Sequence, residues 1–365
     1  MINYKILEEF NEKFFSEMKL NNNDLIFNLF QLVDWIKILT EFSNNLVKLK
    51  IVVIYLDEKI IFIAPLCIKN IGGCRQLSWL SSEIIDYNNA IFSNDYLSVK
   101  KQFYEIWNKI IKEISAQCDL VYFDKIPEFI MGKLNPTLSE NYKFYQYSYQ
   151  LNLENLDFDE FYNSKNNNKT IQTDRRKKKK LKEGEELLFT YEDCNAQNFL
   201  DVEKLIVEKI NYYKSKKLKT FENYIISKYK KLIINNNDEY KFKICHCLKG
   251  NEKISSILGV VQKNIFYYLI PVVYKTKYMK FSPGKFHIIN LIEWSINKKL
   301  RLIDFSPGDE NYKLNWSNQK FKIFYHLKLL NMRGLLRFFI LKIYYFLRKN
   351  RFVKKLYNLI KIYSS

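Results

Sequence analysis

Two consecutive α+β lobes, each a mixed sheet flanked by helices, followed by a basic amphipathic helix, are the fold this sequence predicts, and three observations predict it. The chain has 365 residues, too many for one ordinary core and close to two domains of about 150 residues plus extensions. Apolar residues make up 47% and aromatics 16%, which buries a core along most of the length and excludes global disorder. Finally, one order of elements (helix, hairpin, strand, helix, strand) is written twice.

In the first half, residues 24–42 carry Leu25, Leu29, Leu32, Ile36, Leu39 and Phe42 at steps of three and four after an Asn/Asp start, the pattern of a capped helix. Residues 46–55 and 60–68 are rich in β-branched and aromatic side chains and flank Asp57-Glu58, which reads as a hairpin. Weaker strands at 74–80 and 90–92 enclose a polar segment, 81–89. A helix over 99–115 and a strand over 119–123 follow, ending at Asp124-Lys125-Ile126-Pro127.

The second half repeats the order. Helices at 196–213 and 221–234 precede a hairpin, 240–248 and 254–261, turning at Gly250-Asn251. A strand over 265–273 leads through 275–284 into a helix ending near Lys299, and a strand over 301–305 ends at Ser306-Pro307-Gly308. Antiparallel strands followed by one strand-helix-strand crossover set a helix on a mixed sheet, with the crossed-over strands parallel and adjacent. The domain boundaries read from this order are 1–152, 153–330 and a tail, 331–365.

The formal charge of +20 invites a polyanion as partner, because clustered Lys and Arg release counterions from phosphate or attract anionic headgroups. Much of the charge accompanies abundant Lys, Asn, Ile, Phe and Tyr with scarce Gly and Pro, as AT-rich coding produces without selection for a polyanion. The six cysteines lack paired metal-ligand spacing and follow no apolar signal peptide, which fits reduced thiols in a cytoplasm and no metal. Cys245-His246-Cys247 resembles a ligand set but lies in an alternating run, where i and i+2 share one strand face. No apolar run of about 20 residues occurs, so a soluble or peripheral protein is expected.

The most specific local signal is a pair of loops about twenty residues apart: Lys280-Phe281-Ser282-Pro283-Gly284, and the stretch Asp304-Phe-Ser-Pro-Gly-Asp-Glu-Asn-Tyr-Lys313. On these residues the chain resembles the CelD/BioF2-like acetyltransferases of the two-lobed GNAT type, whose second lobe ends a strand in Asp-Phe-x-x-Gly-Asp-x-x-Tyr-Lys after a Ser-Pro-Gly helix start. The resemblance covers residues 28–320 and implies tandem GNAT lobes, an acyl-CoA such as acetyl-CoA as co-substrate, and an amine acceptor. A small molecule or an amino sugar of a surface polysaccharide is the acceptor it suggests. The usual Gln/Arg-x-x-Gly-x-Gly/Ala phosphate loop is missing. FemABX-type relatives, which take aminoacyl-tRNA, are therefore the second reading.

The residues support the same place. The first turn of a helix leaves N–H groups free with the positive end of the dipole behind them, a seat for phosphate. Ser282 suits a cap, Pro283 the first helical position, and Gly284 a close anion approach, while Lys280 and Lys285 add charge. The resemblance makes that anion the pyrophosphate of acyl-CoA; the alternative is a plain capped helix start. Amine acylation needs a base for the ammonium proton and an acid for the leaving thiolate. Glu310 or Asp309 suits the base and Tyr312 the acid. Lys313 suits an acidic substrate or a pair with Asp309, and Asp304 packs the strand end. Asp86 and Tyr87, in the polar gap of the first lobe, are acceptor contacts by resemblance and a solvated loop otherwise.

Residues 169–182 carry Arg175, Arg176 and Lys177 to Lys180, a positive helix that either is simply solvated or steers a phosphorylated substrate. No DNA-binding signature accompanies it. From Asn331 on there are nine Lys/Arg and no Asp or Glu; Arg333, Arg337, Arg348, Arg351 and Lys355 share one helical side, and Leu336, Phe339, Ile340, Ile343 and Leu347 another. Such a helix either lies on an anionic membrane or docks on the protein with its basic residues outward. A non-catalytic RNA- or membrane-binding protein on a GNAT scaffold is the third reading.

Overall fold

A computed structural model of the chain describes residues 1–15, 24–43, 47–81, 84–216, 224–235, 237–308 and 310–349. The chain divides into two compact units, residues 1–146 together with the segment from Phe321 on, and residues 147–320. The first unit opens with β1 (Ile2–Leu7), α1 (Val33–Glu41), β2 (Val47–Leu56), β3 (Lys59–Ile71), β4 (Cys74–Trp79), α2 (Lys100–Ser115) and β5 (Leu120–Pro127). The second holds most of β6 (Lys143–Asn152), then α3 (Phe158–Lys165), α4 (Asn168–Lys182), β7 (Leu187–Asp193), α5 (Phe199–Ser215), α6 (Ile225–Ile234), β8 (Lys241–Lys249), β9 (Glu252–Gln262), β10 (Ile265–Val273), α7 (Pro283–Asn297), β11 (Leu302–Pro307) and α8 (Asn311–Asn315). The chain then returns to the first unit with β12 (Gln319–Leu329) and α9 (Leu335–Lys349).

Each unit repeats one sheet pattern. In the first, β1, β2, β3 and β4 pair antiparallel in turn, β4 pairs β5 in parallel, and β12 closes on β5 antiparallel. In the second, β7, β8, β9 and β10 pair antiparallel, β10 pairs β11 in parallel, and β6 closes on β11 antiparallel. The crossover rule thus holds in both: α2 joins β4 to β5 and α7 joins β10 to β11.

The boundaries differ from those read in the sequence because the closing strands are exchanged. β6 follows the first crossover in the chain yet pairs in the second unit, and β12 follows the second crossover yet pairs in the first. The divisions accordingly fall at 146/147 and 320/321 rather than at 152/153 and 330/331, and α9 packs in the first unit. Helix α1 is also shorter than 24–42: Asn28 accepts a hydrogen bond from the Phe30 N–H, fixing a 3-10 turn at Leu29–Gln31 before the α-helix starts.

Periodicity accounts for the cores. In α2, Phe103, Trp107, Ile110 and Ile114 recur at steps of three and four, and the rings of Phe103 and Trp107 both lie 5.1 Å from Phe62 of β3. In the second unit Phe286, Ile289, Leu291 and Ile292 of α7 pack with Phe266, Tyr268, Ile303 and Phe305 of the parallel strands. Burying each such side chain contributes about 1.5–3 kcal/mol. Strand alternation sends Cys245 and Cys247 into this cluster, while His246 meets Ser256 at 2.7 Å. Among the described residues no group of three His, Cys, Asp or Glu side chains converges as a metal site, and no helix is long and apolar enough to cross a membrane.

Candidate active site

The second unit opens where its two parallel strands part. β10 and β11 pair only through Ile265–Leu302, Phe266–Ile303 and Tyr267–Asp304. Beyond that level both continue, β10 to Val273 and β11 to Pro307, held by their outer neighbours. Both outer ladders shift register there, between Leu258 and Gly259 on one side and between Asp304 and Pro307 on the other. Bulges re-aim strands in this way, and the carboxyl ends of parallel strands are where α/β sheets form ligand clefts.

The motif after β11 builds a corner. Asp304 is buried; its Oδ1 accepts from the Ser306 N–H at 2.7 Å and its Oδ2 from Gln150 at 2.8 Å, which bears out its structural reading. Ser306 is left-handed (φ 63°), a conformation a residue before proline rarely adopts, and its buried Oγ has no partner. Lys313 folds back from α8 to donate to Pro307 O (2.9 Å) and Ser306 O (3.4 Å) and to pair with Glu310 (3.1 Å). An ammonium has three donors, so all of Lys313's are engaged. Gly308 makes room for that pair: a Cβ there would stand 2.0 Å from Glu310 Oε2 and 2.6 Å from Lys313 Nζ. Tyr312 is half-buried, 6.2 Å ring to ring from Tyr268, and Asp309 lies outside the described residues.

The other Ser-Pro-Gly starts α7. Ser282 is also left-handed (φ 59°), and it does not cap the helix as the sequence suggested. Its hydroxyl instead accepts from Lys177 Nζ of α4 at 3.0 Å. Lys285 is not free either: it ion-pairs with buried Asp174 and lies over the rings of Tyr162 and Trp316, at 5.8 and 5.9 Å. Lys280 stays exposed, with its ammonium 5.2 Å from the Phe281 ring, and Gly284 packs on Val273. The cations at this helix start are therefore Lys177 and Lys280. Arg176 is exposed on α4.

One residue of this region was missed. Lys209 of α5 is half-buried; its Nζ donates to Pro271 O of β10 at 2.9 Å, beyond the level where β11 leaves. Desolvation, and then the Lys313 charge, bring its pKa down to about 8 against an opposing pull from Glu310. The signal was available: Lys209 continues the buried stripe Val202, Leu205, Ile206 at helical spacing, an odd place for a solvated lysine.

Asp86 and Tyr87 belong to the first unit. Their segment is not a solvated loop: Tyr87 is 2% exposed between Phe30 and Phe321, and its carbonyl accepts from Gln31 at 3.0 Å. Asn88 and Asn89 are tied to Asp124 and Asn28, leaving Asp86 half-exposed.

A parallel pair that parts, a crossover helix starting beside it, and ionisable side chains at the strand end agree with one further finding. Residues 168–314 match the family model described as acetyltransferase (GNAT) domain. This segment is similar to GNAT acetyltransferase domains. It runs from the first residue of α4 to the corner closed by Lys313, entirely inside the second unit. The chain is similar in fold to FemX, with a TM-score of 0.55 at 13% identity over 91% of this chain and 99% of that one. L-PGS from Bacillus licheniformis gives 0.52 at 10% identity over 92% of this chain and 97% of that one. No curated protein matches the sequence.

Proposed function

We propose that this chain is an acyl-CoA-dependent N-acyltransferase of the CelD/BioF2-like kind, acting in the cytoplasm on an amine of a small molecule or amino sugar. The observation that carries the reading is the parting of β10 from β11 beside the start of α7 in a GNAT domain. Acyl-CoA supplies the activated thioester. The support for its diphosphate at this helix start is charge: Lys177 and Lys280 lie there and Ser282 adds a hydroxyl, whereas Pro283 has no N–H and the N–H groups of Ser282 and Lys285 already donate to Met279 O and Ser282 O. At the corner of Glu310 and Tyr312, with Asp309 next to them in the sequence, the acceptor ammonium would lose its proton and the leaving thiolate would gain one.

The exposed residues Arg175, Arg176, Lys178, Lys179 and Lys180 of α4 favour a second reading, a FemABX-type transferase fed by aminoacyl-tRNA, because a solvated basic face suits a long polyanion. Calorimetry and thermal melts with acetyl-CoA, longer acyl-CoAs and an aminoacyl-tRNA separate the two. We expect saturable acyl-CoA binding that raises the melting temperature, since a ligand of the folded state stabilises it. Stabilisation by aminoacyl-tRNA alone transfers the site to the second reading. Steeply salt-dependent RNA binding with no thioester turnover overturns both in favour of a binding protein.

A further inference from the structure

The corner after β11 leaves a question of proton traffic. Glu310 is paired with Lys313, and Lys313 has spent its donors on Glu310 and two carbonyls. Lys209 differs from both. It hangs by one hydrogen bond from Pro271 O, on the strand that β11 has just left, and it feels Glu310 and Lys313 from across the opening. We infer that Lys209 is the group that takes the proton from the acceptor's ammonium, at the mouth where β10 and β11 part. This deepens the acyl-transfer reading and rests on it.

Its surroundings suit the task. Among the described residues, β10 meets Lys209 with a carbonyl, the charges acting on it are Glu310 and Lys313, and its own helix contributes the Tyr212 and Tyr213 rings at 5.8 and 5.2 Å from Nζ. Half-burial and a neighbouring ammonium favour the neutral amine; Glu310 limits how far. A lysine that titrates near pH 8 supplies neutral amine at physiological pH, as one in water does not. The step balances. Neutral Nζ accepts one proton from the substrate ammonium; the freed amine attacks the thioester carbonyl carbon; the C–S bond breaks, the surplus proton on the new amide nitrogen passes to the thiolate, directly or through Tyr312, and the proton held by Lys209 is released to water, so that ammonium and thioester give amide, thiol and one proton.

Two measurements test this. First, trace labelling of the native protein with isotopic acetic anhydride across pH, with peptide mass spectrometry, reports the titration of each lysine. Lys209 should label half-maximally near pH 8, and Glu310→Gln should move that midpoint down. A Lys209 that titrates as a lysine in water, at about 10.4, overturns the proposal. An unreactive Lys209 does so too, because an amine closed to acetic anhydride is closed to an acceptor. Second, kcat/KM for acetyl transfer should rise with pH, half-maximally near pH 8, to a plateau above about pH 9. Lys209→Arg, folded by its melt and with unchanged acetyl-CoA affinity, should lose that limb and about 100-fold in kcat. A retained limb overturns the assignment. If the wild-type protein turns over no acyl-CoA, the labelling result still decides Lys209, and the failure belongs to the acyl-transfer reading.

Discussion

Two glycines in the second unit face opposite kinds of neighbour. At Gly308 the atoms nearest an added methyl are the tips of Glu310 and Lys313, and the backbone has φ 159°, a conformation that residues other than glycine rarely adopt. Gly308→Ala should therefore cost about 1–3 kcal/mol through backbone strain, while dispersing the ion pair and lowering acyl transfer about 10-fold or more. At Gly259 the methyl would lie 2.2 Å from Cζ of buried Phe266, so Gly259→Ala should cost about 1–3 kcal/mol by overpacking; denaturant melts of both variants check the two costs. The buried histidines set a pH dependence. Desolvation, then Lys253, lowers His246 to about pKa 4, and desolvation, then His246, lowers His287 to about 3. Both folded values lie below the unfolded one, so their contribution is full above about pH 6.5 and is lost as pH falls toward 4 and 3, each by up to about 1.4 kcal/mol per pH unit. Urea midpoints from pH 8 to pH 4 should fall accordingly, and His287→Gln should flatten the fall. At this scale the sequence was legible where a residue's constraint is local, as in the Asp304-to-Lys313 motif. Lys209 depends on Pro271, Glu310 and Lys313, which lie 62 or more positions away and meet it only after folding.

Among elements, the repeated hairpins, crossover helices and the parallel pair β10–β11 were readable because each is periodic over its own length. β1, β6, β7 and β12 were not picked out. β6 and β12 carry many Tyr, Phe and Lys residues, and both faces are part-exposed, so hydrophobic alternation does not single them out. The start of α7 at Pro283 was legible, but it is furnished differently: Ser282 does not cap it, Lys285 serves Asp174 and Lys177 arrives from another helix. A test by Gly284→Glu would mislead, because even a Cβ at that position comes within 2.7 Å of Val273 Cγ2 and disturbs packing. Lys177→Ala leaves the backbone alone. It should weaken acetyl-CoA binding about 2- to 5-fold, the worth of one partly exposed charge, with a shallower salt dependence in calorimetry. Unchanged affinity would move the phosphate seat away from α7.

For the molecule as a whole, α9 joins the two alternatives the tail presented. One side docks on the first unit: Leu341 and Tyr345 are buried, Tyr345 stacks on Tyr325 at 3.6 Å, and Tyr122 and Tyr345 share a hydrogen bond of 2.8 Å. The expectation that basic residues would point outward in a docked helix is reversed for two of them. Arg337 donates to Gln76 at 3.3 Å and Arg348 to Gln146 at 3.0 Å, because long cationic side chains reach polar groups at the rim of the docked face. What faces outward is Leu336, Phe339, Ile340, Ile343 and Phe346, each 48–74% exposed, with Lys342 exposed among them. Docking thus leaves an apolar stripe uncovered, next to a tail with cations and no acidic residue. Interfacial insertion of that stripe into an anionic bilayer is the outcome we expect. Deleting the chain from Asn331 would not test it cleanly, since Asn331 also donates to buried Asp119 at 2.9 Å and the docked face would be stripped; that truncation should lower the melting temperature by several degrees, as a loss of about 1 kcal/mol or more does. Phe339→Ser with Ile343→Ser removes only outward apolar surface. At about 25 cal/mol per Å² the pair should cut partitioning into phosphatidylglycerol vesicles at least about 10-fold while the melting temperature holds. High salt should weaken the wild-type protein's binding by its basic part alone. Sedimentation that finds no wild-type protein on such vesicles, or equal amounts of both proteins, would remove the membrane from this account and leave the stripe to a protein partner.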